Sequence, residues 1–450
     1  MVLTRRTLLQ SALAGPVLSG CSSGTTGTRP TASPGNPFMV DGSAPVDVAI
    51  GEEYGGFAAA AYRKKYASAT VSPTVNAQLA NALLPRFAAG NPPDVVLSTG
   101  DHALELGRLV KENQLADLRS LLNAPAWDNA NATVEDSLLP GMLAAGQYDG
   151  TQRTVNYVAT VYGLWYSASL FQRNGWDVPR TWPELLALGT EMKAAGLGPF
   201  VYAGAHPYYV LEMVLTLAAK AGGHDVVKRI DNLDDGAWED ESVTKAIIAV
   251  GELAKRGLLA AGTAAYDHIG SQKRFLAGKA GMLPCGNWLE NEMKGLVPQD
   301  FALTMFAVPP LDSSPALASG VHVAATAPFL VPDKARNKAG GLEYLRALLS
   351  ADVAAQVTSE ASQLTIVRGA ADGLEMGTAL RSARDLLSAA GDQLIVWYFD
   401  DWYPQFADVA ATATGQFMAG GLQQSEWTAR IQAAADKLKQ DSAVTKYHRE

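Results

Sequence analysis

The sequence predicts an α/β protein of two domains, each with its own strands and helices. Three observations carry that expectation. From residue 46 onward, strand-like and helix-like stretches alternate, a pattern that sets consecutive strands parallel with helices packed over them. A β-favouring stretch at 155–167, too long for one ordinary strand, interrupts the alternation, which then begins again. A chain of 450 residues, 48% of them hydrophobic, also has enough apolar surface for two cores of ordinary size.

The first 44 residues stand outside this pattern. Thr4-Arg5-Arg6-Thr7-Leu8-Leu9-Gln10 sets paired arginines ahead of an apolar run that ends near Leu18, too short for a permanent bilayer span. It reads as an export signal of twin-arginine appearance. The run closes on Leu18-Ser19-Gly20-Cys21, which is similar to a bacterial lipobox and makes Cys21 the lipidated first residue of the mature protein. Segment 22–44, rich in Ser, Gly, Thr and Pro, buries too little apolar surface to fold and serves as a tether.

In the folded part, 46–50 reads as a strand, Glu52-Glu53-Tyr54-Gly55-Gly56 as a polar loop and 57–66 as a helix. A strand at 70–75, a helix at 77–89 and a strand at 94–98 follow, so the loops carrying Glu52 and Asp101 should share one sheet edge. After the long stretch, which could cross between domains, Thr181-Trp182-Pro183-Glu184 has capping-box spacing with an early proline and opens a helix that runs to Gly196. A strand at 200–202 leads into the loop Gly204-Ala205-His206-Pro207-Tyr208-Tyr209, and helices are expected at 210–221, 242–256 and 268–277. The apolar run 282–287 reads as a buried strand, with Asn287 capping the next helix and Trp288 held at the strand's carboxyl edge, where open α/β sheets place ligands. Strands at 301–308, 321–331 and 364–367 and helices at 341–349, 352–359, 378–390, 408–418 and 426–439 complete the chain. The densest aromatic cluster, Val396-Trp397-Tyr398-Phe399-Asp400-Asp401-Trp402-Tyr403, lies between two of these helices.

Several chemistries are disfavoured. A net charge of -9 without a basic stripe does not suit nucleic acid. The 6 histidines show no His-x-x-x-His pair, so no metal site is expected. There is no Gly-x-Ser-x-Gly elbow and no phosphate-binding glycine fingerprint after a strand, and neither a cofactor nor a catalytic residue is assigned. With Cys21 acylated, Cys285 has no disulfide partner and reads as an inert buried thiol. Glu52, Glu53, Asp101, Glu290, Asp400 and Asp401 could supply the paired carboxylates of an exported glycosidase, and equally the hydroxyl acceptors of a site that binds sugar without reacting. Trp288, Tyr208, Tyr209, Trp397 and Trp402 offer planes for the C–H face of a sugar, with Glu52, Asp101, Asn287, Glu290 and Asp400 as hydrogen-bonding groups.

The lipobox, the tether, Pro93-Asp94-Val95-Val96, Gly163-Leu164-Trp165-Tyr166, Thr181-Trp182-Pro183-Glu184 and the segment from Gly278-Lys279-Ala280-Gly281-Met282 to Trp288 together resemble the carbohydrate-binding lipoproteins of bacterial ABC transporters, the family 1 extracellular solute-binding proteins. Asp231-Asn232-Leu233, the run from Pro284 to Gly295 and the run from Trp397 to Pro404 look like the actinobacterial branch that binds N-acetylglucosamine and N,N'-diacetylchitobiose. The resemblance implies a type II fold of two lobes joined by three crossings, 45–158 with 306–368 forming lobe one and 159–305 with 369–450 lobe two. It implies a ligand site built from Glu52, Glu53, Asp101, Thr160, His206, Tyr208, Asn287, Trp288, Glu290, Trp397, Asp400 and Trp402. Glu53 and Asp101 would take hydroxyls, while Trp288, Tyr208 and Trp402 would stack. It further implies a monomeric, non-enzymatic receptor, lipid-anchored on the outer face of the cytoplasmic membrane, that passes a carbohydrate to permease subunits. A receptor for another oligosaccharide and an exported glycoside-active enzyme are the alternatives.

Overall fold

The computed structural model describes residues 30–99, 102–148 and 150–449. The leader, Cys21 and Asp101 lie outside them. The strands are β1 (Val46–Ile50), β2 (Val71–Val75), β3 (Val95–Leu97), β4 (Gln147–Tyr148), β5 (Thr151–Gln152), β6 (Val155–Ser167), β7 (Gly198–Phe200), β8 (Ala280–Gly286), β9 (Leu303–Phe306), β10 (Val321–Leu330) and β11 (Leu394–Ile395). The large sheet has the order β2-β1-β3-β10-β6-β8-β7, with β11 beside β10 and β9 beside β6.

The expectation of a parallel sheet needs correcting. The β1, β2 and β3 strands are parallel, as are β7 and β8, but β6 and β10 run antiparallel to each other, β10 antiparallel to β3 and β6 antiparallel to β8. The reason is the role of the long stretch. At about 3.3 Å per residue, the 13 residues of β6 span about 43 Å, enough to belong to both lobes. Residues 155–162 pair with β10 and 162–166 with β8. β10 runs back the other way, touching β11 at Val321 and β3 at Leu330. Two extended strands crossing in opposite senses must pair antiparallel, and the alternation on either side of them builds the two lobes of a type II fold. Ala327, with φ 62°, puts a left-handed residue in β10 just before Pro328, between its two halves.

Among the described residues the buried hydrophobics gather in three clusters, two of them large, and the first of these extends along the crossing strands into both halves. It gathers Val48, Ile50, Val95, Leu97, Tyr157 and Phe329 around the first strands, and the second gathers Leu185, Val214, Leu217, Ile247, Trp238 and Trp427 beneath the helices of the second half. The expected helices form with small shifts, as at Ala58–Lys65, Trp182–Ala194, Glu241–Lys255 and Thr378–Ala390. Thr181 accepts the Glu184 N–H at 3.4 Å, but Glu184 reaches back to the Arg180 N–H at 2.7 Å, closing the capping box one residue further out. The strand expected at 200–202 forms at Gly198–Phe200, and 364–367 makes only isolated bridges to Val158 and Leu138. The sequence reading did not anticipate the helix His224–Asp231.

Candidate functional site

Where β6 and β10 cross, a cavity of about 360 Å³ opens, bounded by Tyr162, Tyr208, Glu212, Thr326, Trp397 and Asp400. That volume lies within the roughly 300–1,000 Å³ of small-molecule sites. One wall is the helix Tyr208–Gly222, which begins directly after Pro207. Its residues 208, 211, 212 and 215 recur at helical spacing and face the cavity, while Val210, Val214 and Leu217 are buried in the second core. The opposite wall is the segment following β11, whose pairing with β10 sets Leu394 beside Val321 and Ile395 beside His322.

That pairing starts a chain of rings. Trp397 lies flat on His322, with centroids 3.5 Å apart and planes at 10°, and His322 stacks on Tyr162 at 4.7 Å. Tyr162 meets the indole of Trp288 edge-on at 5.3 Å, Trp288 is 6.2 Å from Tyr209, and Tyr209 stacks on Tyr208 at 4.1 Å. Six rings from five separate stretches thus form one connected chain, of which Trp397, Tyr162 and Tyr208 line the cavity. His322 is neutral within it: Nδ1 donates to the Ile395 carbonyl at 2.9 Å, and burial pulls its pKa down to about 3.

The charged groups of the cavity wall are acids, and among the described residues that wall carries no Lys, Arg or His. Asp400 accepts from Trp397 Nε1 at 3.2 Å and from the Asp401 N–H at 3.1 Å. Burial raises the pKa of Asp400 and, together with the neighbouring Asp400 charge, that of Asp401. Glu212 is pushed well up by burial and by Asp400, with a hydrogen bond from Tyr162 opposing the shift. The concave wall keeps these carboxyls open to a small molecule while enclosing them in protein that solvates charge poorly, which disfavours ionising them all together.

Of the residues expected at the site, the structure brings Tyr208, Trp397 and Asp400 to the cavity. Thr160 is buried beside it, its hydroxyl 3.0 Å from that of Thr326. Trp288 sits at the middle of the ring chain, half-buried, over Gly286: a Cβ there would lie 1.9 Å from Trp288 Cζ3. Asn287 is not a helix cap. The cap position falls at Trp288 without a side-chain bond, because Asn287 Oδ1 accepts the Val161 N–H at 3.2 Å and ties β8 to the crossing strand instead. Glu290 accepts from the Leu380 N–H at the start of the helix Thr378–Ala390, and Trp402 packs between Tyr398 at 5.3 Å and Tyr447 at 5.4 Å, so neither is in the cavity wall. His206 meets His268 edge-on at 5.6 Å. Glu52 and Glu53 lie exposed in the turn after β1, and the Gly51 N–H donates to Leu97 O, so the loops after β1 and β3 do share an edge. Cys285 is buried, its thiol pKa pushed well up by burial.

Sequence reasoning passed over Tyr162, Glu212, His322 and Thr326. Glu212 had a signal: it is the lone acid in the otherwise apolar run from Tyr208 to Ala219. His322 had none, since a histidine in a strand is most often core.

The family model described as "Bacterial extracellular solute-binding protein" matches residues 41–355, and the chain belongs to that family of receptors rather than to an enzyme family. The chain is 33% identical to the diacetylchitobiose binding protein NgcE of Streptomyces coelicolor, over 99% of this chain and 98% of that one. Among solved structures it resembles a probable secreted solute-binding lipoprotein from Streptomyces coelicolor (TM-score 0.70, 18% identity, 87% of this chain and 98% of that one). It also resembles a chitin oligosaccharide binding protein (TM-score 0.60, 18% identity, 82% of this chain and 90% of that one). At such identities the structural likeness speaks for the fold.

Proposed function

We propose that this protein is an exported receptor that binds N-acetylglucosamine or a short chitooligosaccharide such as diacetylchitobiose between its lobes and hands it to the permease subunits of an ABC importer. The observation that carries the reading is the acid-lined aromatic cavity at the strand crossing, in a chain alignable end to end with a diacetylchitobiose binding protein. Flat rings complement the C–H faces of a pyranose, and the carboxyls of Glu212, Asp400 and Asp401 complement its hydroxyls and acetamido group. Segments 45–158 and 306–368 form lobe one, and 159–305 and 369–450 lobe two. Glu52, Glu53 and Asp101 serve from lobe one as the clamp closes, and Trp288 sets the pose of the sugar ring through Tyr162. Among the described residues no helix is long and apolar enough to cross a membrane. A twin-arginine leader and a lipid on Cys21 would hold the monomer at the outer face of the cytoplasmic membrane. Calorimetric titration with N-acetylglucosamine and with diacetylchitobiose is the test. Saturable heat with either supports the assignment, and no heat with both removes it.

A further inference from the structure

The segment Val396 to Asp401, which supplies Trp397, Asp400 and Asp401 to the cavity, joins β11 to the one-turn helix Phe399–Trp402, and its backbone is bonded from behind by a buried carboxylate. Asp231 ends the helix His224–Asp231 with its side chain fully buried. Its Oδ1 accepts the Tyr398 N–H at 2.7 Å and the Phe399 N–H at 3.0 Å. A buried negative charge at a helix C-terminus is doubly unfavourable, through desolvation and through the helix dipole. One cation answers it. Arg449 Nη1 donates to Asp231 Oδ2 at 2.7 Å and to the Val396 carbonyl at 2.7 Å, and the guanidinium lies 4.8 Å from the Tyr398 ring centre.

Arg449 reaches that position because 441–449 doubles back after the helix Gln424–Gln440. Asn232 clasps its backbone in both directions, accepting the Arg449 N–H at 2.7 Å and donating to the Arg449 carbonyl at 2.9 Å. Two residues earlier, the Tyr447 N–H donates to the Tyr403 hydroxyl at 2.8 Å. Val396 lines the ligand cavity on one side and, with Arg449, a second opening of about 320 Å³ on the other.

We infer that the stretch 441–449 is a positioning strap for the binding cavity, and that Arg449 sets ligand affinity through Asp231 without touching the ligand. The inference rests on the cavity being the binding site. Arg449→Ala leaves the buried Asp231 carboxyl without its cation behind the wall. Adding Asp231→Asn keeps an oxygen for the Tyr398 and Phe399 N–H groups and removes the charge that needed Arg449. The strap therefore predicts that Arg449→Ala weakens diacetylchitobiose binding at least about fivefold, the lower end of ordinary coupling between separate sites, and that the double variant recovers most of the loss. Asn232→Ala, which loosens only the clasp, should show a smaller loss in the same direction. Titrations are made well below the melting temperature of every variant. A lower melting temperature with unchanged affinity, or a double variant no better than Arg449→Ala, overturns the inference.

A second measurement needs no sugar. Amide hydrogen exchange at 396–401 in the full chain should quicken in Arg449→Ala, or in Asn232→Ala if the first variant does not fold, and slow again in the double variant. Unchanged exchange overturns the strap whichever sugar binds. Altered exchange in a protein that takes no chitooligosaccharide upholds the strap and removes the ligand assignment.

Discussion

Replacing Gly286 by Ala would test whether Trp288 is held in its place by the strand beneath it. The added methyl would lie 1.9 Å from Cζ3, 2.3 Å from Cε3 and 2.6 Å from Cη2 of the indole. Ordinary contact begins near 3.4 Å, so the separation must grow by about 1.5 Å (3.4 minus 1.9). The strand has little room to yield, because the Gly286 carbonyl accepts from Trp165 Nε1 at 3.1 Å and Gly286 pairs with Tyr162 across the sheet. The ring has to move, at a cost of about 1–3 kcal/mol. Trp288→Ala alone should cost about 1–3 kcal/mol for a half-buried ring. The two changes cannot add, since the methyl has nothing to strike once the indole is gone. Urea unfolding of the two single variants and the double variant should therefore give a coupling energy of about 1–3 kcal/mol, leaving the double variant no less stable than Trp288→Ala. Additivity within about 0.5 kcal/mol would refute the packing argument. Affinity should fall in Gly286→Ala as well, because a displaced indole loses its edge contact with Tyr162 at the cavity.

Other perturbations follow from the same geometry. Trp397→Ala removes both the ring on His322 and a cavity face, and calorimetry should show a loss of about 2–4 kcal/mol in sugar binding, with Trp397→Phe retaining much of it. His322 is neutral far above its folded pKa of about 3, so sugar affinity should carry no His322 titration between pH 5 and 8, and His322→Phe should keep the stack while losing about 1 kcal/mol of stability with its hydrogen bond to Ile395. For Asp231 the folded pKa of about 7 lies above the ordinary 3.8, burial outweighing Arg449. The folded state then binds the proton more tightly, and the stability linked to it is fully present below about pH 4 and lost as pH rises toward 7. Urea midpoints should fall across that window, by an amount equivalent to no more than about 4 kcal/mol, and the fall should shrink in Asp231→Asn.

How much of this the sequence shows depends on the distance over which each feature is written. Helices such as Thr378–Ala390 and strands such as Val155–Ser167 are written in consecutive residues, as apolar periodicity and β-favouring composition, and were readable to the residue or nearly so. Strand direction is not local. Nothing within 155–167 or 321–331 says that the two stretches cross between lobes in opposite senses, and the parallel expectation failed there and only there. The site divides in the same way. Tyr208, Trp397 and Asp400 could be proposed from aromatic and acidic content at loop ends, but Glu290 and Trp402 have the same local character and turn elsewhere, toward Leu380 and Tyr447.

What separates the two groups is pairing. Trp397 faces the cavity because the two residues of β11 pair with the start of β10, setting Ile395 beside His322 and letting the next ring lie on the imidazole. Tyr162 is there because it is the residue of β6 that pairs with His322 on one side and Gly286 on the other. Gly286, lacking a side chain, lets the indole of Trp288 close down to meet Tyr162. The lining is thus assembled at the register of the two crossing strands, and its rings stand where both lobes meet. A residue slip of β10 against β6 would turn His322 to the opposite face and break the chain at its centre. The same antiparallel pairing that contradicts simple α/β alternation is therefore what brings rings from residues 162 to 397 into one aromatic cluster beside the cavity.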